Sequence, residues 1–276
     1  MKTNFSSSVK EGVLAFLKSI IAIIFYAVSM AVIQMGLVSI ADGVFSFPVR
    51  QGICALVGGL GSVWLLRRLL DHKSVSSLGY AWDGRGLVKG FLLGAGLILI
   101  GLGILLVTGS VKIVSFSWNS SVVLQAVFLF VCVALGEETC FRGYIVGNMG
   151  DAMGNLSALF ISGILFSAPH LINPNSSAMS FLGILLAGWM LAAAYVFTRN
   201  LWKAVGIHFG WNLMQAMVGF RVSGLDIPGV VTLEYPVENL WNGGIFGFEA
   251  SLVCIILLAA VTALILWQNA SHSRKC

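Results

Sequence analysis

Glu137 and Glu138 stand side by side just past an apolar run, Val122–Leu135, and Arg142 lies four residues beyond the second acid. Near the centre of a lipid-spanning helix each such charge costs about 2.5–3.5 kcal/mol. The ten Val, Leu and Phe residues of the run offer roughly −5 kcal/mol on the same scale, against roughly +9 for three central charges. The segment is tolerable only if these groups pair, lie near an interface or line a hydrated cavity. Glu138 and Arg142 share a helical face, so a salt bridge between them is natural. Glu137 points elsewhere and has no local partner in the sequence. Two more polar intrusions follow: His170 closes Phe166-Ser167-Ala168-Pro169-His170, and His208 and Asn212, four apart, project from one helical face. A Glu, two His and an Asn, on different membrane helices or a shared face, make a hydrolytic constellation.

Each residue also has a plainer reading. Glu138 and Arg142 could be a structural pair, and Glu137 an interfacial residue. His170 could be a polar helix end, and His208 with Asn212 interhelical hydrogen-bond glue. Cys140, beside the acids, reads as a packing residue, because nothing in a carboxylate-led site activates its thiol. The joint occurrence is harder to dismiss than any member.

The elements that must carry these residues are membrane helices. Of 276 residues 58% are hydrophobic and 10% charged, with mean hydropathy +0.94, whereas soluble domains are about 25% charged. The expected fold is all-α, a polytopic membrane protein of one domain over residues 1–276, with its chemistry in a core of about 121–220. Eight apolar segments approach the ~20 residues a bilayer demands: Val13–Ile40, Gly52–Leu70, Leu87–Thr108, Ser121–Met149, Leu156–Leu171, Ser180–Thr198, Leu201–Phe220 and Ile245–Trp267. Pro169 should disturb the fifth. Gly94, Gly96, Gly101 and Gly103 point to close helix packing in the third. The N-terminal apolar stretch outruns a signal-peptide core of ~7–15 residues and is read as a retained span.

Cations fix an orientation. Eight spans put Lys2, Lys10, Lys18, Arg67, Arg68, Lys73, Arg85, Lys89, Arg199, Lys203, Arg274 and Lys275 on one side, with both termini. The other keeps Arg50, Lys112 and Arg221 beside Asp42, Asp226, Glu234 and Glu238. The excess of cations marks the first side as cytoplasmic, and the expected location is the plasma membrane. The basic residues form no stripe with aromatics, so nucleic acid is not expected as a partner. Five cysteines without CxxC spacing say little of redox compartment, and Cys276 as last residue forms no prenylation box. Measured from the cytoplasmic helix ends at about 1.5 Å per residue, Glu137 lies roughly 18 Å deep, His170 roughly 20 Å and His208 roughly 10 Å, so the three can meet.

Glu137-Glu138-Thr139-Cys140-Phe141-Arg142 resembles the EExxxR motif of the CAAX protease and bacteriocin-processing family, also called the abortive-infection family, of intramembrane proteases. Phe166–His170 resembles its FxxxH motif and His208–Asn212 its HxxxN motif, in the family's order and without departure at the motif positions. The resemblance covers about Ser121–Phe220. It implies a membrane endopeptidase like the type II CAAX prenyl endopeptidases, with a cavity open to the cytoplasm. By that resemblance Glu137 and His170 activate water, His208 and Asn212 stabilise the oxyanion, and Glu138 with Arg142 holds the geometry.

No cofactor is expected. Zinc is the alternative, with Glu137, His170 and His208 as ligands, but HExxH is absent and Asn212 is a poor zinc ligand; the family has been described both ways. The expected partners are a peptide or membrane-anchored protein substrate, prenylated or not, and the lipid bilayer. The opposing reading is a non-catalytic membrane partner, conferring bacteriocin immunity or steadying a sensor kinase. A transporter would need paired broken helices in two symmetric halves, which the sequence lacks.

Overall fold

The computed structural model describes residues 5–41 and 43–273 of the chain; Lys2, Asp42, Arg274, Lys275 and Cys276 lie outside the described residues. Helices dominate: α1 (Phe5–Ala41), α2 (Phe47–Leu66), α3 (Gly84–Val107), α4 (Ser120–Glu138), α5 (Gly147–Met153), α6 (Asn155–Ser167), α7 (Ala178–Val196), α8 (Trp202–Met217) and α9 (Leu252–Ser273). Two short strands, β1 (Lys112–Phe116) and β2 (Val231–Glu234), pair antiparallel with Lys112 opposite Glu234. Among the described residues, seven helical stretches are long and apolar enough to cross a membrane: Val9–Ile40, Phe47–Asp71, Gly84–Val107, Ser120–Met153, Asn155–Ile172, Ala178–Val196 and Leu252–Asn269. The fold is that of a polytopic membrane protein.

The eighth expected span is α8, and it differs from the rest. Its 16 residues reach roughly 24 Å at about 1.5 Å per residue, short of the ~30 Å hydrocarbon core. Protein surrounds it instead of lipid. Gly206 and Gly210 lie so close to α3 that a methyl group on either would meet the carbonyls of Leu87 and Phe91, and Gly90 and Gly94 answer from α3. This contact lets backbones approach without side chains between them. Of the four glycines expected to pack, Gly94 and Gly101 do so, the latter against Phe248, whereas Gly96 and Gly103 face open space.

Local sequence sets the element ends. Asn119 accepts from the N–H groups of Ser121 and Val122 and starts α4. Ser177 and Ser180 form a reciprocal capping box at the head of α7. The last apolar segment starts later than expected, at Leu252 and not Ile245. Gly243, Gly244 and Gly247 adopt φ of 85°, 53° and 106°, left-handed values that a continuous helix does not admit. Two 3-10 turns, Gly244–Phe246 and Phe248–Ala250, occupy the interval.

Candidate active site

Past Glu138 the α4 helix widens into π-helical turns over Thr139–Val146, where the N–H of Gly147 returns to the carbonyl of Arg142, five residues back. Such widening occurs often at functional sites, and here it begins beside the two acids. On this segment the expected ion pair forms: Arg142 Nη1 donates to Glu138 Oε1 at 3.0 Å, with side chains 1% and 0% exposed. A pair so deep needs further support. Arg142 Nη2 reaches the carbonyl of Gly188 on α7 at 3.4 Å, and its guanidinium lies 4.3 Å from the ring centre of Phe166 on α6. One cation thus joins three helices behind the site.

Glu138 has a second duty. The same Oε1 lies 2.8 Å from His208 Nδ1. On its other side His208 presents Nε2 to Glu137 Oε2, at 3.9 Å. The two neighbouring acids therefore face opposite nitrogens of a single imidazole. Glu137, without a local partner in the sequence, finds this neighbour on α8, 71 positions further along the chain.

His170 is held differently. The α6 helix stops at Ser167 and tightens into a 3-10 turn, Ala168–Ile172, the disturbance expected of Pro169. In a 3-10 ladder the carbonyl of Phe166 would be answered by the N–H of residue 169, and proline has none. The imidazole takes its place, with Nδ1 2.9 Å from that carbonyl. A carbonyl only accepts, so Nδ1 carries the hydrogen and Nε2 of the neutral ring keeps its lone pair. Phe166 also packs against His170, His208 and Phe141, with ring centres 5.1, 6.2 and 5.0 Å apart. It is the aromatic floor between the two imidazoles.

Glu137, His170, His208 and Asn212 all line one cavity of about 510 Å³, within the ~300–1,000 Å³ usual for ligand sites. Glu137 is 20% exposed into it, and Asn212, on the face of α8 that carries His208, is buried to 7%. Cys140 is fully buried. Among the described residues no three His, Cys, Asp or Glu side chains are grouped so that they could hold a metal ion.

Two contributors escaped sequence reasoning. Glu249, in the last 3-10 turn, lines the cavity and is buried to 5%, with Oε2 accepting from the N–H of Ser223 at 2.5 Å. The cost argument that flags Glu137 applies equally to an acid placed just before the apolar run from Leu252. Tyr80 is the other. Thr139 donates to the carbonyl of Leu135 at 2.6 Å, so the Tyr80 hydroxyl, 2.5 Å away, is the donor between the two. Burial pushes its phenol above the ordinary value, which keeps it a neutral donor bracing the residue next to Glu138.

The segment that carries all three motifs, residues 119–214, matches the model of the Rce1-like family, described as type II CAAX prenyl endopeptidase Rce1-like. The resemblance read from the motifs is borne out over this stretch, and at family level it is that of a CAAX-type endopeptidase, a hydrolase. Comparison with curated proteins gives no match.

Proposed function

We propose that the chain is an intramembrane endopeptidase that hydrolyses a peptide bond in a membrane-associated substrate, with water as nucleophile and without a metal. The observation that carries this reading is the opposed tethering of two imidazoles in one cavity. His170, bonded through Nδ1–H to a carbonyl, offers a basic Nε2; with Glu137 it takes a proton from the attacking water. His208, bonded through Nδ1 to the Glu138 carboxylate, is an imidazolium and donates from Nε2 as well. Together with the amide of Asn212 it stabilises the oxyanion that forms on the scissile carbonyl. Glu138 and Arg142 are positioning residues. They orient His208 and touch no substrate. When the tetrahedral intermediate collapses, the C–N bond breaks and the proton taken from water passes to the leaving amine.

The test is purification of the full chain in detergent and mass spectrometry of a defined peptide pool after incubation. The wild type cleaves; Glu137→Gln loses about 10²–10⁴-fold in rate with unchanged elution and thermal unfolding; a chelator changes neither. Equal cleavage by the folded variant would falsify the hydrolytic reading and leave a non-catalytic membrane partner. Loss of activity with chelator, restored by zinc, would overturn the metal-free step alone.

A further inference from the structure

The cavity reaches from the middle of the bundle, where α4 gives Leu129 to Glu137 and α7 gives Ile184 to Leu191, out to one end of it. From α2 come Phe47, Gln51 and Ala55, at the end remote from Arg67 and Arg68. From α6 come Phe166 and the 3-10 turn with His170, remote from Asn155. Beyond the far end of α8, the turn Val222–Leu225 adds to the rim, and Glu249 joins it from the head of α9. Rim residues Phe47, Leu225 and Ile172 are exposed, the last to 89%. The exposed rim of the cavity therefore lies at one pole of the bundle.

The opposite pole is shut. There Lys18 binds Asp71 at 2.6 Å, Arg67 binds the other oxygen of Asp71 at 3.2 Å, and Arg67 also donates to Asn148 at 3.3 Å. This shut pole carries the basic ends, including Lys10, Arg68, Lys73, Lys89 and Lys203, and the chain enters and leaves the bundle on it. The open pole has Arg50, Lys112 and Arg221. Two expectations thus collide: cations place the termini in the cytoplasm, and the resemblance implies a cytoplasm-facing cavity. In this fold the start of α1 and the end of α9 lie at the pole opposite the mouth, so both cannot hold. The charge asymmetry is a property of this chain's own residues, and it decides orientation through loops that resist translocation.

We infer that the cavity opens on the extracytoplasmic side, so that its substrates are extracytoplasmic segments of exported or membrane-anchored polypeptides and not lipidated tails presented from the cytoplasm. The substrate class rests on the hydrolytic reading; the side of opening does not. The lining suits an extended peptide: mostly apolar walls with a few polar groups, among them the Tyr26 hydroxyl, which is buried without a protein partner among the described residues.

Two single cysteines test this in the full chain with Cys276→Ser, since Cys54, Cys132, Cys140 and Cys254 are buried. Leu225→Cys marks the rim and Ser76→Cys the shut pole. A membrane-impermeant maleimide should label Leu225→Cys in intact cells and Ser76→Cys only in inverted vesicles. The reverse pattern, or label on both from one side, overturns the inference. The same labelling in a Glu137→Gln background keeps it independent of activity. A quenched fluorescent peptide pool added outside right-side-out vesicles should be cleaved at least tenfold faster than outside inverted ones. Equal rates, or faster cleavage in inverted vesicles, overturn the substrate class. No cleavage in either, with the expected labelling, sinks the hydrolytic reading and spares the orientation.

Discussion

The two walls that hold the imidazoles solve one problem in opposite ways. On the α6 wall, a proline removes an N–H, and His170 bonds to the main-chain carbonyl left over. On the α8 wall, His208 bonds to a carboxylate that an arginine already holds. A carbonyl partner fixes a hydrogen on Nδ1 and leaves Nε2 free of that bond; a carboxylate partner favours the cation. On the hydrolytic reading proposed above, the same residue type serves as a base on one wall and a donor on the other. The difference lies in the tether, not in the ring.

The largest effect should come from breaking the charged tether. Glu138→Ala leaves Arg142 buried and uncompensated, a loss of about 3–5 kcal/mol, and releases His208. Thermal unfolding in detergent should show a marked drop with no measurable cleavage. Glu138→Gln keeps the volume and one acceptor, so more folded protein with poor activity is expected; a fully active Glu138→Gln would refute the imidazolium role of His208.

Next comes the oxyanion side. Asn212→Ala should lower kcat by about 10²–10³-fold with little change in KM, read from initial rates on a cleaved peptide. A rise in KM alone would make Asn212 a substrate-binding residue instead. The comparison also has a pH signature. His170 must be neutral and His208 charged, so kcat should fall at both ends of its pH profile. The acid limb reports protonation of the base that takes the proton from water, and the alkaline limb loss of the donor's proton. A profile with a single limb would mean that the two rings do not work in opposite states.

The main-chain tether is the milder one to break. Pro169→Ala restores an N–H that competes for the Phe166 carbonyl, worth about 0.5–1.5 kcal/mol, and should lower kcat up to about tenfold with the fold intact. Smallest of all, Glu249→Gln keeps an oxygen for the Ser223 N–H. It should stay within about tenfold of wild-type activity; a larger loss would bring Glu249 into the chemistry.

How far the site could be foreseen depends on the kind of signal. Glu137, His170, His208 and Asn212 were legible because polar groups stand out against apolar segments and their spacing matched known motifs. The Glu138–Arg142 pair was legible because i,i+4 geometry is local. That Glu138 also grips His208 was not, since residues 70 apart meet only through the packing of α4 on α8. Glu249 was hidden for a related reason. It lay inside a segment read as one span, and only the glycine-bent turns before Leu252 set it facing the cavity.

By itself the sequence determined that this chain is a polytopic membrane protein, where most of its apolar helices lie and where its cations accumulate, because burial of apolar side chains and translocation of charged loops depend on composition along the chain. Tertiary structure alone decided which nitrogen of each imidazole is tied, that α8 can be short because α3 shields it, and toward which pole the cavity opens. Those outcomes follow from contacts between distant segments, and a linear pattern holds no record of how helices rotate against one another.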